Sequence, residues 1–167
     1  RSSSFLCGGK MTEAEKSRFK SGFISLIGRP NVGKSTLLNL LLGEKIAIIS
    51  DKPQTTRNRI LGIKNHPEGQ IVFWDTPGIH RARSRLNQSM VKVALGTYKE
   101  VDGICFIIEA NRPFDDENDF ILETLKQVEK PVLLVINKID LIPKPDLLPA
   151  MDEYSRLRSF EQIIPIS

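Results

Sequence analysis

Six short apolar or near-apolar runs punctuate the 167-residue chain, at 23–27, 60–64, 71–74, 104–108, 132–136 and 163–166, each flanked by turn-forming or charged residues. Runs of this length and flanking predict strands of a largely buried sheet. Between them the spacing of apolar positions changes: residues 34–42, 86–100, 118–128 and 146–158 follow a helical period and predict helices. Strand and helix alternate except between the second and third runs. There only Asn65-His66-Pro67-Glu68-Gly69 intervenes, a turn-rich link suited to a hairpin. The expectation is an α/β fold: a mostly parallel six-stranded sheet with one antiparallel edge hairpin, helices on both faces, and ligand loops at the strand ends.

Three strand ends carry chemistry. The first run passes directly into Gly28-Arg29-Pro30-Asn31-Val32-Gly33-Lys34-Ser35, a Gly-x-x-x-x-Gly-Lys-Ser phosphate loop, followed by Thr36 and a helical segment. Its glycines let the backbone wrap with N–H groups turned inward. Lys34 supplies an ammonium for the terminal phosphates, Ser35 a hydroxyl for Mg²⁺, and the helix start a positive dipole end. This is the nucleotide loop of a P-loop NTPase.

A phosphate loop does not name the base. Asn137-Lys138-Ile139-Asp140, directly after the fifth run, does. The Asp140 carboxylate can accept from both the ring N–H and the exocyclic amine of guanine, an arrangement adenine lacks. Asn137 can bond the base edge and tie this loop to the phosphate loop, and Lys138 can lay its aliphatic stem along the base or ribose. A site with such polar groups rejects the wrong base because their partners go unmade. Between the two loops, Asp75-Thr76-Pro77-Gly78 closes the third run. Asp75 is placed to hold Mg²⁺ and the Gly78 N–H to meet a γ-phosphate. The polar, Pro-broken stretch Ser50 to Asn58 reads as a first switch, with Thr56 completing the Mg²⁺ shell when a γ-phosphate is present. Lys34, Thr56 and Gly78 are the expected catalytic contributors.

These stretches, with Pro53-Gln54-Thr55-Thr56-Arg57, Ile79-His80, Phe106 to Glu109, Arg112, Asp115-Asp116-Glu117 and Asp146 to Pro149, resemble the GTPase domain of the Era family of bacterial ribosome-assembly GTPases. The likeness covers about residues 20–167. Thr56-Arg57-Asn58 departs from the Thr-Arg-Asp usual in the related Der and tRNA-modifying GTPases. The resemblance implies a GTP-hydrolysing switch that acts in small-subunit assembly, meeting 16S rRNA and the 30S ribosomal subunit through a KH domain, with peripheral membrane association and a monomeric state. It also implies slow turnover, because Ile79 stands where Ras-like enzymes carry a water-orienting glutamine, and a K⁺ site at Asn31. Ser167 would begin the family's last guanine-contacting loop. On this view residues 1–10 are a vector-derived leader and residues 11–167 a GTPase domain cut within that last motif, with no KH segment. Three other readings stand beside it: a nucleotide-gated RNA- or protein-binding module with negligible hydrolysis, the G domain of a Der-like GTPase, and an ATP-using P-loop enzyme.

Composition changes little. The chain is 40 % hydrophobic, enough for one α/β core, and its formal charge of +4 falls to +2 without Arg1 and Lys10. That balance is too mild to imply nucleic acid. Basic residues cluster around the two switches, at Lys52, Arg57, Arg59 and Lys64 and at His80, Arg81, Arg83 and Arg85, where RNA phosphates could be met. Cys7 and Cys105 offer neither a metal spacing nor a disulfide framework, and Cys105 in an apolar run predicts core packing. Apolar stretches fall short of the ~20 residues of a spanning helix, so a cytoplasmic protein is expected.

Overall fold

The computed structural model describes residues 19–43, 60–74, 96, 98–112 and 115–167. Its strands are β1 (Lys20–Ile27), β2 (Ile60–His66), β3 (Gly69–Trp74), β4 (Gly103–Glu109), β5 (Val132–Asn137) and β6 (Gln162–Pro165). They form one six-stranded sheet in the order β2-β3-β1-β4-β5-β6. Every neighbouring pair is parallel except β2 and β3. Helices α1 (Lys34–Leu42), α2 (Asp116–Leu125) and α3 (Lys144–Leu157) and a 3-10 turn (Ile139–Leu141) connect them, and Gly96, Tyr98 and Lys99 are helical as expected for 86–100.

Strands run past their apolar cores because backbone pairing continues through the polar ends. β1 starts at Lys20, opposite Gly69, and the hairpin turn shrinks to Pro67-Glu68. α2 starts two residues before the expected Asn118, because the Asp115 carboxylate caps it, accepting from the Glu117 and Asn118 amides at 3.1 and 2.9 Å. It ends at Leu125, three residues early, and α3 starts two residues and ends one residue before the expected 146–158.

β4 is the spine of the core, with Ile104 to Ile108 all buried. Alternate residues of a strand face opposite ways. Ile104, Phe106 and Ile108 pack with Tyr98, with Ile121 and Leu125 of α2 and with Tyr154 of α3. Cys105 and Ile107 pack with Leu26, Val135 and Leu38 of α1. Helices therefore cover both faces, and Cys105 is core. The parallel strands β1, β3, β4 and β5 deliver their carboxyl ends to one rim, where the phosphate loop and the 137–140 loop meet.

Candidate nucleotide-binding site

The phosphate loop leaves β1 at Ile27 and enters α1 at Lys34 through three positive-φ residues, Gly28 (146°), Asn31 (65°) and Gly33 (100°). A Cβ on Gly28 would lie 2.3 Å from the Ile107 carbonyl oxygen of β4, and one on Gly33 2.2 Å from Asn137 Nδ2. Both glycines are thus required by conformation and by space. Val32, 1 % exposed, anchors the loop in the core beneath. Pro30 and Asn31 stand at the exposed crest.

α1 begins without a side-chain cap at Gly33 and without an acidic residue in its first turn. α2, by contrast, is capped by Asp115 and carries Asp116, Glu117 and Asp119 in its first turn. An uncapped, acid-free helix start behind a glycine loop suits an anionic ligand. Lys34 Nζ donates to the Gly28 and Arg29 carbonyl oxygens at 2.8 and 2.5 Å, so its ammonium lies over the loop's own backbone. Ser35 and Thr36 follow, exposed, on the first turn of α1. The exposed Ser35 hydroxyl is the hard oxygen donor that Mg²⁺ takes, so this end of the site fits the ion.

The second loop leaves β5 at Asn137, level with Glu109 on β4. Asn137 Nδ2 donates to the Val32 carbonyl oxygen at 2.8 Å, and its Oδ1 accepts from the Lys138 amide at 2.8 Å. The two loops, 105 residues apart, are joined by that first bond. Lys138 adopts φ 61° and its Nζ reaches the Asn31 carbonyl oxygen at 3.0 Å and the Glu109 carboxylate. Asp140 is exposed, with Oδ1 accepting from the Ser167 hydroxyl at 2.7 Å. The Ile139 amide donates to Ile166 O and the Ile166 amide to Ile136 O, which brings the end of the chain to this loop.

Gly28 to Thr36, Asn137, Lys138, Asp140 and Ser167 therefore converge on one rim. Thr56, Asp75, Thr76, Pro77, Gly78 and Ile79 lie outside the described residues. Two sets of ion pairs escaped the sequence reading. Glu109 holds Lys138, and Arg29 engages Asp115 and Glu117 through its side chain. The signals were present, an acid ending the β4 run and an acidic triplet before a helix, but nothing in the sequence joined them to the loops.

The profile of 50S ribosome-binding GTPases matches residues 23–138. The chain is 60 % identical over 157 residues to GTPase Era of Geotalea daltonii, an alignment that covers 94 % of this chain and 52 % of that protein. It is 54 % identical over 149 residues to GTPase Era of Ruminiclostridium cellulolyticum, covering 89 % of this chain and 50 % of that protein. The chain spans about half the length of the curated relatives it matches. A crystal structure of Era in complex with MgGDPNP and nucleotides 1506–1542 of 16S ribosomal RNA superposes with a TM-score of 0.72 at 46 % identity, over 89 % of this chain and 51 % of that one. A variant of Aquifex aeolicus Era bound to GDP and AlF4⁻ gives 0.71 at 45 %, over 89 % and 52 %. The two loops at one rim and these likenesses together establish that the chain belongs to the 50S ribosome-binding GTPases, as an Era-type GTPase domain.

Proposed function

We propose that this chain is a guanine-nucleotide switch that binds GTP and GDP with Mg²⁺ and hydrolyses GTP slowly. The hydrogen bond from Asn137 to Val32 O carries the reading, because it makes a base-reading loop and a phosphate-binding loop one rigid receptor. Asp140 reads the guanine edge beside Ser167, with Lys138 against the base or ribose. The diphosphate lies along Gly28, Arg29, Pro30, Asn31, Val32 and Gly33 and the start of α1 at Lys34, Ser35 and Thr36.

Water attacks the γ-phosphorus while the bond from that phosphorus to the β–γ bridging oxygen breaks, giving GDP and inorganic phosphate. Lys34 balances the charge that grows on the bridging and γ oxygens, and the Gly78 N–H meets a γ oxygen. Ser35, Thr56 and Asp75 would hold Mg²⁺, which would supply positive charge against the phosphate oxygens. Thr76 and Pro77 join Asp75 and Gly78 as nucleotide-binding positions of the same motif. Ile79 has no polar side-chain atom with which to orient a water, so turnover is slow, and Asn31 would hold K⁺ as a further positive charge. In the related structure Era holds 16S ribosomal RNA; by that likeness the whole protein acts on the small ribosomal subunit in the cytoplasm, as a monomer. No helix of the described residues is long and apolar enough to cross a membrane.

Single-turnover GTP hydrolysis with Mg²⁺, in Na⁺ and in K⁺ buffer, tests the reading alongside displacement of labelled GDP. The expected result is slow phosphate release, faster in K⁺, and displacement by GTP but not by ATP at equal concentration. Asp140→Asn is expected to move preference from guanine to xanthine nucleotides. Equal competition by ATP would overturn the assignment, and no phosphate release in either salt would leave a nucleotide-gated binding module.

A further inference from the structure

Arg29 lies within the phosphate loop, where an arginine invites assignment as a phosphate ligand. Its guanidinium is engaged elsewhere. Nε donates to Glu117 Oε2 at 2.9 Å and a terminal nitrogen to Asp115 Oδ2, so the planar fork spans two carboxylates at the start of α2, 86 and 88 residues away. The side chain of Arg29 is 20 % exposed, those of Asp115 and Glu117 28 % and 39 %.

The far end of this clamp is firmly held. Asp115 caps α2 through its other oxygen. Asn118, 2 % exposed, donates to the Arg112 carbonyl oxygen at 3.1 Å, and Ile121, Leu122 and Leu125 root the helix in the core. The near end is the working part of the loop: the carbonyl oxygen of Arg29 itself accepts from Lys34 Nζ.

We propose that Arg29 is a positioning residue that fixes the first half of the phosphate loop against α2, presetting Lys34 and the loop amides for a diphosphate. The inference rests on the nucleotide-binding reading above and adds to it an anchor independent of Asn137 and Lys138. Anchoring the loop before the ligand arrives removes an ordering cost from binding.

Because the preset part of the site is the phosphate cradle, its loss must weaken GDP more than GMP. The Kd ratio of GMP to GDP is therefore measured for the wild-type chain, Arg29→Met, Glu117→Gln and the double variant. The expected result is a ratio lowered about tenfold in Arg29→Met and about threefold in Glu117→Gln, with the double variant no lower than Arg29→Met. Glu117 is chosen because Asp115 also caps the helix. Arg29→Lys retains charge and stem without the fork, and is expected to lie between wild type and Arg29→Met; it serves as the informative variant should the methionine chain unfold. An unchanged ratio, with both constants rising together, would overturn the inference, as would full additivity of the two substitutions. Failure of the wild-type chain to bind GDP would instead overturn the nucleotide reading itself.

Discussion

Replacing Asn137 by alanine removes two bonds at once, Nδ2 to Val32 O and the Lys138 amide to Oδ1, each 2.8 Å long. Val32 is 1 % exposed, so water does not readily replace the lost donor at its carbonyl. A typical bond contributes about 1 kcal/mol net and an orphaned buried partner costs about 1–3 kcal/mol, which puts the combined loss at about 2–3 kcal/mol. If all of it falls on binding, the GDP Kd rises about 30- to 150-fold. Both bonds lie within the protein itself, so part of the loss appears as lower stability of the free protein. The quantity to compare is the sum of the two, which equals the lost stability of the GDP-saturated protein. Urea unfolding with and without saturating GDP, together with displacement of a fluorescent GDP, measures all three legs. A summed loss below about 0.5 kcal/mol would refute the claim that this side chain holds the two loops together.

Glu109→Gln leaves Lys138 Nζ its bond to Asn31 O but takes away its ionic partner; the pair is partly exposed, so GDP is expected to bind about 3- to 10-fold more weakly, and a change under about twofold in equilibrium titration would contradict the assignment. Both tyrosines of the chain, Tyr98 and Tyr154, are buried, and burial raises both phenols above the ordinary 10.0, with Asp119, Asp115 and Glu153 adding to the effect at Tyr154. Their contribution to stability is whole below about pH 10 and shrinks above it, because only the unfolded chain then sheds the protons. Phenolate absorbance is expected to rise only together with loss of helical circular dichroism; phenolate in the folded chain would contradict this. Burial pushes the Cys105 thiol up to about 12, so in a Cys7→Ser background a thiol reagent at pH 8 is expected to label only after denaturant is added, and prompt labelling would show Cys105 to be accessible.

The sequence alone determined the strand and helix order, the antiparallel hairpin and the identity of the two ligand loops. Those features are written locally. Apolar runs fix strands, turn residues fix the hairpin, and Gly28, Gly33, Lys34, Asn137 and Asp140 occupy motifs whose spacing is set by the backbone of one loop each. Even the bond from Asn137 to the phosphate loop was legible as one of two uses for its amide, the other being the base edge. Thr56, Asp75 and Gly78, equally plain as motifs, lie outside the described residues.

What only the tertiary structure decided is which charges meet. Arg29 and Glu117 are 88 residues apart, and Lys138 and Glu109 are 29 apart on neighbouring strand tips. In the sequence each belongs to a different stretch of polar residues, any of which could face solvent. Strand order resolves them: β4 lies between β1 and β5, so Glu109 stands beside the loop that β5 delivers, and Asp115 and Glu117 at the start of α2 meet the loop that β1 delivers. Side-chain pairing across a sheet rim depends on strand adjacency, and adjacency is a property of the whole packed sheet.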